Sequence, residues 1–341
     1  VLKELIKDDK KFKSSWITND SYPSFLRDIN LLKAINKRNF DILHIHGLWR
    51  SPNRLTSFFL RNQKPYIITP HGMLDNWALK NSYLKKKLAL FLWEKRALKN
   101  AVCMQALCEN EISSIKKIVP NMPVALIPNG INLPNLKIKN DQNLIWRNDI
   151  KNSKKILLFL GRFHKKKGIS ELLTAWRIVW EKNKDINWRL VFVGSGDDQY
   201  IKKRIKDERI PFCEIYNSVS GDLKDSTFKN SSAFILPSYS EGLPMAVLEA
   251  MSYKLPCMIS DACNFAGKGI NDAFIKSDPE IGELTLALNN LFNNSQSELH
   301  MMGEIGYKYV SKNYNWEIIN EKFFKLYSWL INGDSKPDFI V

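Results

Sequence analysis

The chain has 341 residues, 44% of them apolar and 25% charged, a composition that fits a soluble globular protein of two domains of about 150 residues each. No apolar run approaches the ~20 residues that cross a bilayer, which excludes a membrane-spanning helix. An excess of 51 Lys+Arg over 35 Asp+Glu leaves +16, which favours anionic partners: nucleotides, phospholipid head groups or nucleic acid. The five cysteines (Cys103, Cys108, Cys213, Cys257 and Cys263) are odd in number and form no C-x-x-C pair, so they read as reduced, mostly buried thiols rather than zinc ligands. The chain opens at Val1 on charged, amphipathic residues without the marks of a signal peptide, and a cytoplasmic location is expected.

Taken in order, residues 1–13 read as the end of a helix and residues 15–18 as a strand. A doubly wound domain opens with a buried strand and a Gly-rich turn, so one strand and one loop are expected to be missing at the start. Strands are then expected at 40–46, 66–69, 101–107 and 124–127, with helical stretches between them in the rhythm of β-α units and parallel sheets. Residues 128–153, with Pro134, several Asn and alternating charges but no period, read as a linker. Further strands are expected at 155–160, 188–193, 212–216, 233–236 and 257–260. The domain reading is therefore 1–135 and 150–315, with a last helix in 316–341 packing back on the first domain.

Between the second and third strands, a helix over 80–99 carries Leu84, Leu88, Phe91 and Leu92 at helical spacing, flanked by seven Lys and Arg with only Glu94 opposing. Two readings stand beside each other: a basic amphipathic helix that lies on anionic lipid, and a core-packed stripe with a solvated basic back.

Three segments carry candidate chemistry. The first is a pair of His-Gly corners, His46-Gly-Leu-Trp49 and Pro70-His-Gly-Met73, each at a strand end and so at one edge of the same sheet; His46, Trp49 and His71 would line a cleft there. The second, Leu160-Gly-Arg-Phe-His-Lys-Lys-Lys-Gly168, follows an apolar strand. Gly161 permits a sharp turn, and Arg162 and Lys167 bring a bidentate fork and a point charge to the carboxyl end of the sheet, a pair suited to a pyrophosphate. The third runs from Leu236 to Met251, where a strand ends at Pro237, a loop holds Glu241, Gly242 and Leu243, and a helix starts at Pro244. That helix's leading end suits a phosphate, and Glu241 and Glu249 can offer carboxylates to sugar hydroxyls at two depths.

At these residues the sequence resembles glycosyltransferase family 4, retaining enzymes of GT-B fold, over about 41–316. Glu241-Gly-Leu-Pro-Met-Ala-Val-Leu-Glu249 is similar to the family's E-x7-E signature, Gly161-Arg162 with Lys167-Gly168 to its phosphate-binding loop, and Pro70-His-Gly72 to the site of a histidine near the donor sugar. The resemblance implies an α/β protein with two Rossmann-like domains facing a central cleft, the second holding the nucleotide sugar. It implies that Arg162 and Lys167 hold the donor diphosphate, Glu249 the ribose, Glu241 the donor sugar, and His71 a place beside the reacting sugar, with Gly161, Gly242 and Leu243 shaping the donor site. The implied partners are a nucleotide-sugar donor and a glycan or undecaprenyl-type lipid-linked acceptor of surface-polysaccharide synthesis (O-antigen, capsule or lipopolysaccharide) at the inner membrane face. Peripheral membrane contact through 80–99 is one of the two readings of that helix, and basic residues spread along the chain with no RNP, zinc-finger or helix-turn-helix pattern point to no nucleic acid.

No D-x-D pair is present, so no metal and no cofactor is expected, and fixed cations would stabilise the leaving diphosphate. Two other readings stand against this one: a non-catalytic basic protein binding membrane or nucleic acid, and a phosphorylase or epimerase on the same fold.

Overall fold

The computed structural model describes residues 30, 31, 33, 35, 37, 39–49, 51–55, 65–136, 155–265 and 270–341. The elements expected over 1–13 and 15–18, and residues 137–153 of the expected linker, lie outside them. The chain divides into two units: Val1–Gly130 with Trp316–Val341, and Ile131–Asn315.

The first unit holds a four-stranded parallel sheet in the order β1 (Leu43–His46), β2 (Tyr66–Thr69), β3 (Cys103–Ala106), β4 (Val124–Leu126). β2, β3 and β4 are buried at nearly every position because both faces are covered, as all-parallel sheets require, whereas the edge strand β1 carries His44 and His46 and is only partly buried. Alternation sorts them: Tyr66, Ile68, Met104 and Val124 pack with Leu98, Ile115 and Val119 on one side, whereas Ile67, Cys103, Ala125 and Ile127 pack on the other with Ile319, Phe323 and Leu326. Those last three lie on the terminal helix, Trp316–Asn332. The chain end then runs antiparallel to β4, with Val124 N donating to Val341 O at 2.9 Å and Leu126 N to Phe339 O at 2.9 Å.

The helix expected over 80–99 is an unbroken helical stretch from Tyr83 to Lys99, made of α2 (Tyr83–Ala89), a π-helical turn (Leu90–Glu94) and α3 (Lys95–Lys99); its start differs, because a separate short helix, α1 (Asn76–Lys80), ends before it. Ser82 adopts a left-handed φ of 55°, which stops α1 from running into α2. The π turn widens the helix where Glu94, the one acid of the stretch, goes inward and is buried.

In the second unit a six-stranded parallel sheet runs β10 (Phe274–Lys276), β9 (Cys257–Ile259), β8 (Ala233–Leu236), β5 (Lys155–Leu160), β6 (Trp188–Gly194), β7 (Cys213–Asn217). The chain starts at the centre with β5, proceeds to one edge, returns to lay β8 beside β5, and proceeds to the other edge. This reversal between β5 and β8 is a topological switch point, where open α/β sheets bind ligands. Between the strands lie α5 (Ile169–Lys182), α6 (Asp198–Asp207), α7 (Gly221–Lys229) and α8 (Met245–Ser252), and α9 (Ile281–Asn293) follows β10. Trp176 of α5 is fully buried. α4 (Glu109–Ile118) belongs to the first unit. Among the described residues no helix is long and apolar enough to cross a membrane.

Candidate active site

At the switch point three glycines let the strand ends crowd together. A Cβ at Gly194 would stand 1.9 Å from Gly161 O, one at Gly196 (φ +131°) 2.3 Å from Phe163 O, and one at Gly168 (φ +66°) 2.1 Å from Pro237 O. The loops after β5, β6 and β8 are thereby held against one another, and Tyr239 N donates to Lys166 O at 2.8 Å to join the β5 and β8 loops.

On this frame Lys167 Nζ donates to Glu241 Oε1 at 2.5 Å, Ser238 Oγ donates to the same oxygen at 2.7 Å, and Lys166 Nζ stands 3.9 Å from Oε2. Asn264 Nδ2 lies 2.7 Å from both Glu241 O and Gly242 O, fixing the loop backbone. Lys167 and Glu241 are 13% and 8% exposed along their side chains, so the pair is nearly out of water. Arg162 is exposed at the end of β5 and makes no ion pair among the described residues. The loop thus carries four cations (Arg162, Lys165, Lys166, Lys167), of which Lys166 and Lys167 face the Glu241 carboxylate, leaving a net positive loop edge. Partial desolvation lowers the pKa of His164, and the same four cations lower it further. Burial first, and the nearby Glu241 charge second, push the Cys263 thiol up to about 12, so it is inert at neutral pH.

Leu243 is buried, and Pro244 is the N-cap of α8 with φ −74° and ψ 116°, one residue short of the helical start expected for it. Its carbonyl accepts from Val247 N at 3.1 Å. Glu249 is half-buried and not open: its Oε1 accepts from Lys224 Nζ at 2.6 Å. Lys224 on α7, Ser238 and Asn264 were missed by sequence reasoning. The Glu249–Lys224 pair spans 25 positions and leaves no local pattern, whereas Asn264, with a φ of 62° after a 3-10 turn, is of the residue type that takes a left-handed position readily. The structure therefore brings Gly161, Arg162, Lys167, Glu241 and Gly242 to one sheet edge, and gives Glu249 a partner of its own beside it.

In the first unit the carboxyl ends of β1 and β2 carry three imidazoles. His46 Nδ1 and His71 Nε2 are 2.9 Å apart, and the His44 and His46 rings stack at 4.4 Å. His44 bridges Tyr327 OH at 2.8 Å and Thr69 Oγ1 at 2.7 Å; Thr69 in turn donates to Gln105. Burial lowers the pKa of all three, that of His46 to about 3, with His71 adding to the effect on His46 and His44. His71 is open to solvent on its outer side, and the shift comes from protein crowding its ring. At neutral pH the trio is thus uncharged, and one N–H serves the His46–His71 contact. His71 holds a φ of 54° and Gly72 one of 73°, and this strained corner is clamped by Glu111, whose Oε1 accepts from Gly72 N at 2.5 Å and Oε2 from Leu107 N at 2.7 Å. Trp49, also at positive φ, donates its N–H to Glu94 at 2.5 Å. Glu111 and Glu94, buried acids that set these two corners, were missed as well. Among the described residues no cluster of three or more His, Cys, Asp or Glu side chains is spaced to hold a metal ion.

Two parallel α/β units, with a cationic loop edge at the switch point of the second, are the architecture of glycosyltransferases of GT-B fold. Residues 140–309 match the family Glycosyl transferases group 1 and residues 10–134 match Glycosyltransferase Family 4, and the chain belongs to this family. Among curated relatives, an uncharacterized glycosyltransferase of Haemophilus influenzae is 29% identical over 198 residues, 55% of this chain and 53% of its own length. The chain thus spans about half of that protein. The UDP-Gal:alpha-D-GlcNAc-diphosphoundecaprenol alpha-1,3-galactosyltransferase of Escherichia coli is 24% identical over 312 residues, covering 86% of this chain and 74% of that one. Of solved structures, the sucrose-phosphate synthase of Thermosynechococcus elongatus matches with a TM-score of 0.75 at 19% identity, over 94% of this chain and 82% of its own. Anabaena HepE, solved in complex with UDP-glucose, matches with a TM-score of 0.71 at 14% identity, over 89% and 82%. These likenesses establish the fold. Of the readings open from the sequence, family membership supports the glycosyltransferase.

Proposed function

We propose that this glycosyltransferase retains anomeric configuration and needs no metal, passing a sugar from a nucleotide diphosphate to a lipid-linked acceptor in surface-polysaccharide synthesis. The cationic edge at the β5/β8 switch point, with Arg162 and the Lys167–Glu241 pair, carries this reading. In the reaction the anomeric C–O bond breaks with its electron pair going to the β-phosphate oxygen. The acceptor hydroxyl attacks the same face of the sugar, and its proton passes to that departing oxygen. Arg162, Lys167 and the leading end of α8 hold the growing charge on the diphosphate, as fixed donors do for other anionic transition states. Glu241, itself oriented by Lys167 and Ser238, accepts from the donor sugar, and Glu249 from the ribose. His71, neutral at working pH, offers a hydrogen bond on the sugar side. The E. coli relative's named acceptor, a diphosphoundecaprenol-linked sugar, supports the choice of acceptor class.

The test is turnover of UDP-, GDP- and ADP-sugars with short diphospholipid acceptors in EDTA, with the product's anomeric configuration read by NMR. The expected product has the configuration of the donor, and EDTA leaves the rate unchanged. Replacing Arg162 or Lys167 by Ala is expected to cost on the order of 2–4 kcal/mol in the barrier. An inverted product, or a rate that vanishes in EDTA and returns with a divalent ion, contradicts the proposal.

A further inference from the structure

On the face of the first sheet that the terminal helix covers, Ile42, Ile67 and Cys103 belong to an apolar layer. Two residues further along each of those three chain segments, and so on the same face, stand His44, Thr69 and Gln105. Thr69 and Gln105 are buried, and the His44 ring lies against Phe323 and Tyr327 of the terminal helix. The direction of every hydrogen bond in this polar layer follows from one backbone carbonyl. Ile127 O only accepts, so the Gln105 atom 2.7 Å from it is Nε2, and Oε1 faces Thr69. Oε1 also only accepts, so the single hydroxyl proton of Thr69 is committed to it at 2.7 Å. Thr69 Oγ1 then offers only lone pairs to His44 Nε2, 2.7 Å away, and that nitrogen carries the ring proton. His44 Nδ1 is left bare in the uncharged ring and accepts from Tyr327 OH at 2.8 Å, a phenol that burial keeps protonated.

A fully satisfied buried polar chain of this kind makes a rigid, unique arrangement, and what it fixes here is a ring plane. His44 is held at both nitrogens, and its ring stacks on His46 with centroids 4.4 Å apart and planes 23° from parallel. His46 stacks in turn on His71 at 5.2 Å and 29°, with its Nδ1 2.9 Å from His71 Nε2. Among the described residues the His46 ring makes no other hydrogen bond, so the His44 ring on its other side is what sets its plane. Orientation thus passes from the strand interior to the outermost imidazole.

We propose that His44 is a positioning residue: the chain from Ile127 through Gln105 and Thr69 locks it as the Nε2–H tautomer, and the locked ring holds His46 in the plane from which it orients His71. The inference deepens the sugar-side role given to His71 above and rests on it for its purpose. Its main readout uses neither donor nor acceptor, so the two fail separately. The full chain is labelled with 15N in its imidazoles, single-histidine replacements assign the five rings, and ring-nitrogen spectra are taken at about pH 7.5. His44 is expected to show a protonated Nε2 and a bare Nδ1. Gln105→Met, two strands away, frees the Thr69 proton and is expected to give His44 a mixture of tautomers, to move the His71 ring signals, and to slow sugar transfer by up to about a hundredfold. Thr69→Ser keeps the hydroxyl and is expected to match the parent in all three. Tyr327→Phe removes only the partner of Nδ1 and is expected to leave the Nε2–H tautomer in place. A parent His44 protonated on Nδ1 overturns the proposal, and this measurement needs no variant. So does a single His44 tautomer in Gln105→Met, a His71 spectrum unmoved while His44 is scrambled, or a tautomer that switches in Tyr327→Phe. Spectra as expected beside transfer that ignores Gln105→Met would leave the ring geometry standing and remove His44 from the reaction, which also overturns the proposal.

Discussion

Lys167 and Arg162 sit five residues apart in one loop and are both cations, but their surroundings differ, and so do the consequences of removing them. Lys167 neutralises Glu241 in a nearly dry pocket, and deleting one partner of a buried pair typically costs about 3–5 kcal/mol because the other charge is stranded. Arg162 is exposed, and its deletion is expected to leave stability within about 0.5 kcal/mol. Chemical denaturation of the two alanine variants is therefore expected to separate them, Lys167→Ala unfolding at lower denaturant and Arg162→Ala with the parent, although both slow transfer. Equal midpoints would contradict the buried-pair geometry. The histidines give a second expectation. A base whose folded pKa lies below the ordinary 6.5 resists the proton that the unfolded chain accepts, so its contribution is full above about pH 6.5 and declines as pH falls towards about 3, the value for His46. Stability against pH is expected to fall over that window, and His46→Asn to flatten the curve; parallel curves would contradict it. At this scale the sequence showed Gly161, Arg162, Lys167 and Glu241 because they fall in two short segments. It hid the Lys224–Glu249 contact, along with Glu111 and Glu94, because each pairing is made across space by residues that look like solvated helix surface or a lone acid.

Elements were more legible than contacts. β2, β5 and β8 stand where their apolar runs begin and end, since a strand buried on both faces has nothing but apolar positions to show. β10 was not seen: Phe274–Lys276 is three residues long and ends in a lysine, too short for any period. The stretch 80–99 was read as one helix because its spacing is helical throughout, which holds from Tyr83 to Lys99, but spacing carries no sign of the left-handed Ser82 that sets its start or of the π turn at Leu90–Glu94. The glycines at the second sheet's edge are the elements' fasteners. Gly168→Ala would force a left-handed alanine and drive a Cβ into Pro237 O, so a loss of at least about 1–3 kcal/mol in stability is expected, with weaker nucleotide binding as the Lys167 turn lifts from β8. Gly221→Ala, at φ +55° but with open space around it, is the matched control and is expected to show only the backbone part. Equal losses would mean that the close approach of loop and strand is not what holds the turn.

On the scale of the whole molecule, the chain passes between its two units twice, after Gly130 and after Asn315, and the terminal helix supplies one face of the first unit's core. The second unit carries the switch-point loop edge on which the donor reading depends. A bound donor stabilises by RT ln(1 + [L]/Kd), about 2.7 kcal/mol at a hundredfold excess over Kd. The measurement that bears most directly on the account is a melting-temperature series with UDP-, GDP- and ADP-sugars in EDTA, on the parent chain and on Arg162→Ala combined with Lys167→Ala. Because Lys167→Ala alone lowers the baseline, the ligand-induced shift is the quantity compared. One nucleotide class is expected to raise the melting temperature of the parent by several degrees and that of the double variant by almost nothing, whereas an undiminished shift in the double variant would place the diphosphate elsewhere and contradict the account.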